Sequence, residues 1–489
     1  MAVIVWLIFI LPLLALVVAA SGTRLAVAGW ISALAALADV IIAAVLAGHA
    51  SDGTAVIAIP HWLGANAFGA LILLLEAVGA LTALIFSIGF LEQHNSPPSR
   101  KRRYLVWFNL FLIALYAVPL LREIALVWLA LTLTTLFSVF LVSFERTPAA
   151  LEAGWKYALL TTLGAAIAIL GILLLYWAQS RAGFTMFTWG QLRASAPKLS
   201  PAILNIAFLL ILIGFGTKAA LIPFHAWLPD TYSRAPFPVC AMLSILESAA
   251  IPYVLLRIAA AVHLAPGVRV DQWLILFGLV SAGGAAILIL QTHEYKRLFA
   301  YSTIENAGII LTAGAISSTA AHHAAMWQIV SHSVTKPLVF YAAGIMFMLV
   351  GKLRIGEVRG VLSISPWIGA TMMAAGLAVA GAPPFAIFLS ELAILKAGLA
   401  SPQVWVAIVL ACFMIISFCA ITYHLFRMVL GKAGAKETNA ELENITIPRS
   451  CILALLIAAA PVIVLGWYIP GPLTHWLAAA TTSLGGSMP

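Results

Sequence analysis

Lys218, His332, Lys336 and Glu391 are ionisable side chains set inside long apolar runs of a 489-residue chain. An ionisable group at mid-membrane costs roughly 2.5–3.5 kcal/mol on insertion scales, so each one needs a reason. The chemistry open to such groups is proton exchange sheltered from bulk water. Moving one proton against about 180 mV takes roughly 4 kcal/mol. A buried lysine that is alternately paired and unpaired can supply a swing of that size, about three pKa units. His332 and Lys336 are four residues apart and so share one helix face. His225 and Glu247 are accessory candidates, His225 being equally suited to hydrogen-bonding a broken backbone. Asp39, Glu76, Glu305, Lys396, His322 and His323 complete the set of polar intruders. Asp39 is expected to cap or pair locally, and Lys396 to snorkel from a helix end.

The elements that must position these groups are interrupted helices. Lys218 precedes by five residues the phrase Pro223-Phe224-His225-Ala226-Trp227-Leu228-Pro229-Asp230. Glu391 ends a matching phrase, Pro384-Phe385-Ala386-Ile387-Phe388-Leu389-Ser390-Glu391, which Pro383 precedes. Both read Pro-Phe-x-x-aromatic-Leu-x-acid, 161 residues apart. A break frees backbone N–H and C=O groups that hydrocarbon cannot satisfy, so it persists only where protein or a water-filled cavity covers it. Paired interrupted segments in two halves point to an ion site.

A composition of 63% hydrophobic and 9% charged residues excludes an ordinary soluble domain. Apolar stretches near 20 residues predict fourteen spans: 2–20, 25–47, 64–91, 104–121, 123–143, 157–177, 202–228, 236–257, 272–291, 298–317, 321–350, 365–400, 404–430 and 449–470. The first lacks a basic start and is followed by further spans, so it reads as a retained helix. Placing both termini outside puts seventeen basic residues inside, among them Arg100–Arg103, Lys432 and Lys436, and six outside. The net charge of +9 is then a matter of topology and argues for no nucleic acid. Glu294, Lys296 and Arg297 read as a cytoplasmic helix start. Cys240, Cys412, Cys419 and Cys451 form no Cys-x-x-Cys pair, and no P-loop or Gly-x-Gly-x-x-Gly phrase is present. No metal, cofactor or catalytic centre is expected.

The 161-residue offset carries the fourth span onto the ninth and the seventh onto the twelfth. Each repeat then holds five spans, and an odd number of crossings makes the two copies inverted. The expected fold class is an all-α polytopic membrane protein of about fourteen transmembrane helices, with two inverted five-helix repeats that each carry a proline-broken helix. The expected parts are a three-helix segment 1–91, repeats 104–257 and 272–430, and a C-terminal helix and tail 449–489. Segment 178–201 reads as an external loop or surface helix.

Gly214-Phe215-Gly216-Thr217-Lys218 running into the first proline phrase, with Ala235-Pro236-Phe237-Pro238-Val239 and Lys296-Arg297-Leu298-Phe299-Ala300-Tyr301-Ser302, resembles the antiporter-like subunits of respiratory complex I. The same superfamily includes Mrp-type sodium/proton antiporter subunits and the membrane arms of group 4 nickel–iron hydrogenases. The resemblance covers about residues 60–430. Phe144-Glu145-Arg146-Thr147, Ser302-Thr303-Ile304-Glu305-Asn306 and the second proline phrase tilt it toward the hydrogenase-4 component F type. It implies proton translocation along a central polar axis, partner membrane subunits that carry the redox chemistry, and a bacterial or archaeal plasma membrane. Lys218 and Glu391 fit the family's pattern. The resemblance also implies a fifth-helix Glu and an eighth-helix Lys or other polar residue, where Thr132 and Ala249 stand. Glu247 lies two residues from Ala249, about 200° around a regular helix, with Pro252 able to re-aim it. Three functions are consistent with these residues. They are a proton-translocating subunit of a hydrogenase-4-like or complex I-like oxidoreductase, a sodium/proton antiporter subunit, and a structural arm with a degenerate proton axis.

Overall fold

A computed structural model describes residues 2–53, 55–431 and 446–485. Lys432 and Lys436, two of the basic residues used to orient the chain, lie outside the described residues. Elsewhere the chain is an all-helical bundle with one small hairpin, Val56–Ile59 paired antiparallel with Leu63–Ala65.

Among the described residues, twelve helices are long and apolar enough to cross a membrane. The two remaining expected spans take other forms. Span 298–317 is the helix Tyr295–Ala315, whose Ser302, Thr303, Glu305 and Asn306 make it more polar than the rest. Span 365–400 is two 14-residue helices, Pro366–Val379 and Ala386–Leu399. Span 202–228 likewise stops short, with Pro201–Lys218 followed by the separate helix Trp227–Arg234.

Local chemistry sets the helix ends. Asn66 caps Ala67–Gln93 by accepting from the Gly69 amide at 2.8 Å. Thr147 and Pro148 together start Pro148–Arg181, the hydroxyl accepting from the Ala150 amide. Ser318 caps Thr319–Val350, which ends at Gly351 with φ of 68°. Segment 178–201, expected as a loop or surface helix, contains the short helix Trp189–Ser195.

Burial separates core helices from lipid-facing ones. An 18-residue stretch within Phe237–Val262 is wholly buried, whereas only 28% of Val3–Ala20 is. On Pro148–Arg181, Leu159, Leu163, Leu170 and Trp177 face outward, the apolar stripe that hydrocarbon requires. Close helix contact is made by small residues. A Cβ at Gly164 would meet the Gly214 carbonyl at 2.7 Å, so Pro148–Arg181 packs tightly against Pro201–Lys218.

Candidate proton-transfer site

The first break lies between Lys218 and Trp227. Ala220 is left-handed with φ of 55°, and the Leu221 amide returns to the Gly216 carbonyl at 2.8 Å. The groups freed by the interruption find side-chain partners. The Trp227 indole N–H donates to the Thr217 carbonyl at 2.8 Å, and the Ser281 hydroxyl accepts from the Ile222 amide at 3.0 Å. Trp227 also stacks on Tyr157 at 4.6 Å between centroids. His225 is half-buried at this break, its ring 6.4 Å from that of Tyr301.

Lys218, on the last turn before the break, is buried and donates to the Thr135 hydroxyl. The threonine that meets the lysine is thus Thr135, one turn beyond Thr132. Thr132 lies nearby and shares with Thr135, Thr161, Thr162 and Lys218 a cavity of about 10 Å³, the space of one water.

The second break repeats the first residue by residue at the same offset. Gly381 is left-handed with φ of 79°, matching Ala220, and the Ala382 amide returns to the Leu377 carbonyl at 3.0 Å. The Phe385 amide reaches the Ala382 carbonyl as the Phe224 amide reaches Leu221. Pro223 and Pro384 both follow cis peptide bonds. Glu391 folds back into this break, its Oε2 only 2.6 Å from where a Cβ at Gly381 would stand. Its neighbour Ser390 donates to Gln328 Oε1 at 2.5 Å, and Gln328 in turn donates to Asn306 at 2.6 Å.

Between the breaks lie the remaining charged groups. Lys336 is fully buried and donates to the Phe299 carbonyl and the Ser302 hydroxyl, both at 2.6 Å. Glu247 is fully buried and accepts from the Tyr232 hydroxyl at 2.6 Å through Oε2, while Oε1 has no hydrogen-bond partner among the described residues. Glu247 lies within electrostatic range of both Lys218 and Lys336. Glu305, which accepts from Ser417 at 2.5 Å, lies within range of Lys336 and of Glu391. The order Lys218, Glu247, Lys336, Glu305, Glu391 therefore alternates in sign until its last member.

Glu247 does not owe its direction to a simple proline kink. Leu246–Ala250 is a π turn, directly ahead of Pro252. Pro252 has no N–H for the Ser248 carbonyl and its ring crowds that oxygen, and the wider turn relieves both problems. The same turn aims Ser248 at His332, whose Nδ1 lies 2.8 Å from the hydroxyl while Nε2 has no hydrogen-bond partner among the described residues.

Sequence reasoning overlooked several of these partners. Gln328, His332 and Lys336 are each four apart, and extending that spacing backwards along the helix would have found Gln328. Lys296, expected at a solvated helix start, is instead buried and donates to the Ala235 carbonyl beneath the Phe237 ring. Asp39, expected to cap or pair, has neither carboxylate oxygen hydrogen-bonded among the described residues, and the same holds for Glu76. Nothing in the apolar sequence around them signals a partner.

The family described as NADH:quinone oxidoreductase/Mrp antiporter, transmembrane, matches residues 122–417, which include both breaks and all five charged groups. The chain belongs to this family. It is 32% identical over 414 residues to the hydrogenase-4 component F homolog of Methylacidiphilum infernorum, covering 83% of this chain and 85% of that one. Its fold is similar to a chain of the membrane-bound sulfane sulfur reductase, an archaeal respiratory membrane complex, with TM-score 0.86, 22% identity and coverage of 99% and 97%. It is also similar to a chain of respiratory complex I from Thermus thermophilus, with TM-score 0.81, 19% identity and full coverage of both. The antiporter family thus accounts for the polytopic helical fold. The chain is an integral membrane protein of antiporter-like type.

Proposed function

We propose that this chain is a proton-translocating membrane subunit of a multi-subunit redox complex of the hydrogenase-4 or NADH:quinone oxidoreductase kind. Lys218, Glu247, Lys336, Glu305 and Glu391 form its transfer axis, and His332 is an accessory to it. The observation that carries this reading is the succession of cations and carboxylates joining two backbone breaks, four of them buried and Glu391 part-buried. Each member costs free energy in hydrocarbon, and a proton path gives that cost a purpose. A proton arriving at Glu247 removes the charge that Lys218 and Lys336 both sense, so loading one site alters the next. At the far end, Glu391 sits against the second break, where freed backbone and the Ser390–Gln328–Asn306 chain can order water. The electrons are carried by other subunits.

Two inverted five-helix repeats, with both termini on the outer face of the membrane, are part of this proposal. The residue-by-residue match of the breaks supports the repeats, and the distribution of basic residues supports the orientation. Cysteine labelling from each side of intact cells checks the orientation. Labelling beside Arg100–Arg103, at the start of the helix Pro98–Leu120, from outside would overturn it.

A second reading is a structural arm whose proton axis has degenerated, favoured by one feature: Lys218 meets a threonine hydroxyl, not a carboxylate. Lys218→Ala decides between the readings. In vesicles carrying the assembled complex, the proton subunit loses proton uptake per turnover, whereas a structural arm keeps it. A sodium/proton antiporter subunit would instead show exchange that depends on sodium and needs no redox partner.

A further inference from the structure

At the end of the bundle away from the 92–103 loop, a cavity of about 410 Å³ is lined by Arg122, Arg193 and Arg257 together with Asn66, Thr188 and Ser483. No acidic residue lines it among the described residues. That volume lies within the range of about 300–1,000 Å³ typical of ligand sites.

The site is built, not a chance gathering of surface charge. Arg122 is fixed through its backbone, its amide donating to the Trp62 carbonyl at 3.0 Å and its carbonyl accepting from the Trp189 amide at 3.2 Å. Arg257 is sandwiched against aromatic rings, its guanidinium 4.5 Å from the Trp189 ring centre and 5.4 Å from that of Tyr253. It donates to the Tyr253 hydroxyl, a neutral partner that uses one of five N–H groups. Arg193 donates to the Leu484 carbonyl at 3.1 Å. Arg122 and Arg257 lie close enough to repel one another. Arg122 and Arg257 are like charges facing one cavity whose described lining holds no carboxylate, which favours an anion there, and planar guanidinium forks match phosphate oxygens in pairs.

We propose that this cavity binds a phosphate-bearing anion, with Arg122 and Arg257 as its principal ligands and Arg193 as a third. Two sources share that chemistry, a phospholipid headgroup and free phosphate. Ile57 and Leu264 line the cavity and are exposed, which suits acyl chains leaving the site.

The test uses the full chain purified in detergent, with thermal unfolding followed as inorganic phosphate or phosphatidylglycerol is added. The expected result is stabilisation that Arg122→Gln and Arg257→Gln each weaken at least tenfold in half-saturating concentration. Exposed Arg181→Gln leaves it unchanged. A response to phosphatidylglycerol alone identifies the headgroup, a response to phosphate alone identifies the free anion, and a response to both identifies a shared site. If neither anion stabilises the wild-type chain, or if both variants respond as it does, the proposal is overturned. Should Arg257→Gln fail to fold, Arg122→Gln, whose side chain supports no aromatic packing, decides alone.

Discussion

The two helix breaks share a backbone and differ in every side chain that matters. At the first, the aromatic of the phrase is Trp227, which hydrogen-bonds the Thr217 carbonyl. At the second it is Phe388, which has no such donor. The acid ending the first phrase, Asp230, is part-exposed and pairs with Arg297 at 2.7 Å and Lys156 at 3.5 Å. Its counterpart Glu391 turns into the break and meets Gly381. The ionisable group of the first break precedes it, as Lys218, while that of the second follows it. One backbone device therefore presents a cation at one place and a carboxylate at another. The break supplies wet, adaptable surroundings, and the residues placed around it decide the charge.

Substitutions can break or sharpen this contrast. The largest effect is expected from Lys218→Ala, a fall of about 100-fold in proton translocation, the low end of what a positioned proton-transfer group contributes. Proton uptake in vesicles measured beside turnover checks it. Combined with Glu247→Gln, the losses should be non-additive, because the two charges sense each other. Strictly additive losses would show that the two groups work independently.

Gly381→Ala should come next. A left-handed alanine costs about 1–2 kcal/mol, and its Cβ would also displace the Glu391 carboxylate. Thermal unfolding should show a loss of about 2 kcal/mol, and translocation should fall severalfold with it. If stability falls but translocation per folded complex does not, Glu391 does not depend on the notch.

Trp227→Phe makes the first break resemble the second. It removes one hydrogen bond at a net cost of about 1 kcal/mol while keeping the ring against Tyr157. The reciprocal Phe388→Trp should gain nothing, and a matching gain would mean that the second break has an unmet acceptor. Least affected is Ala220→Gly. Relief of the left-handed conformation and the added backbone entropy nearly cancel, leaving a stabilisation of less than about 1 kcal/mol.

The sequence made the helical membrane fold legible because hydropathy alone dictates it, and both breaks were legible because proline punctuates so strongly. The burial of Lys218, Lys336 and Glu247 followed from their apolar neighbours. The partners were harder. Thr135 in place of Thr132 is a matter of how far a lysine side chain reaches, which one-dimensional alignment does not encode. The hydroxyl and amide contacts of Ser417, Ser390, Gln328 and Asn306 depend on which helices touch, and apolar periodicity is nearly uniform around a buried helix. Asp39 and Glu76 show the converse: charges conspicuous in sequence for which the described residues offer no hydrogen-bond partner.

The π turn at Leu246–Ala250 makes the central helix one residue out of phase with itself. Each helical residue advances the chain by about 100°, so an extra one rotates everything that follows by that amount. Within the turn, Glu247 and Ser248 face Tyr232 and His332. After it, Arg257 lines the arginine-rich cavity at the bundle's end and donates to the Tyr253 hydroxyl. The register of one segment thereby serves two neighbourhoods. Its sensitive variable is length: deleting a single residue from 246–250 would swing Arg257 away from Trp189 while substituting neither residue.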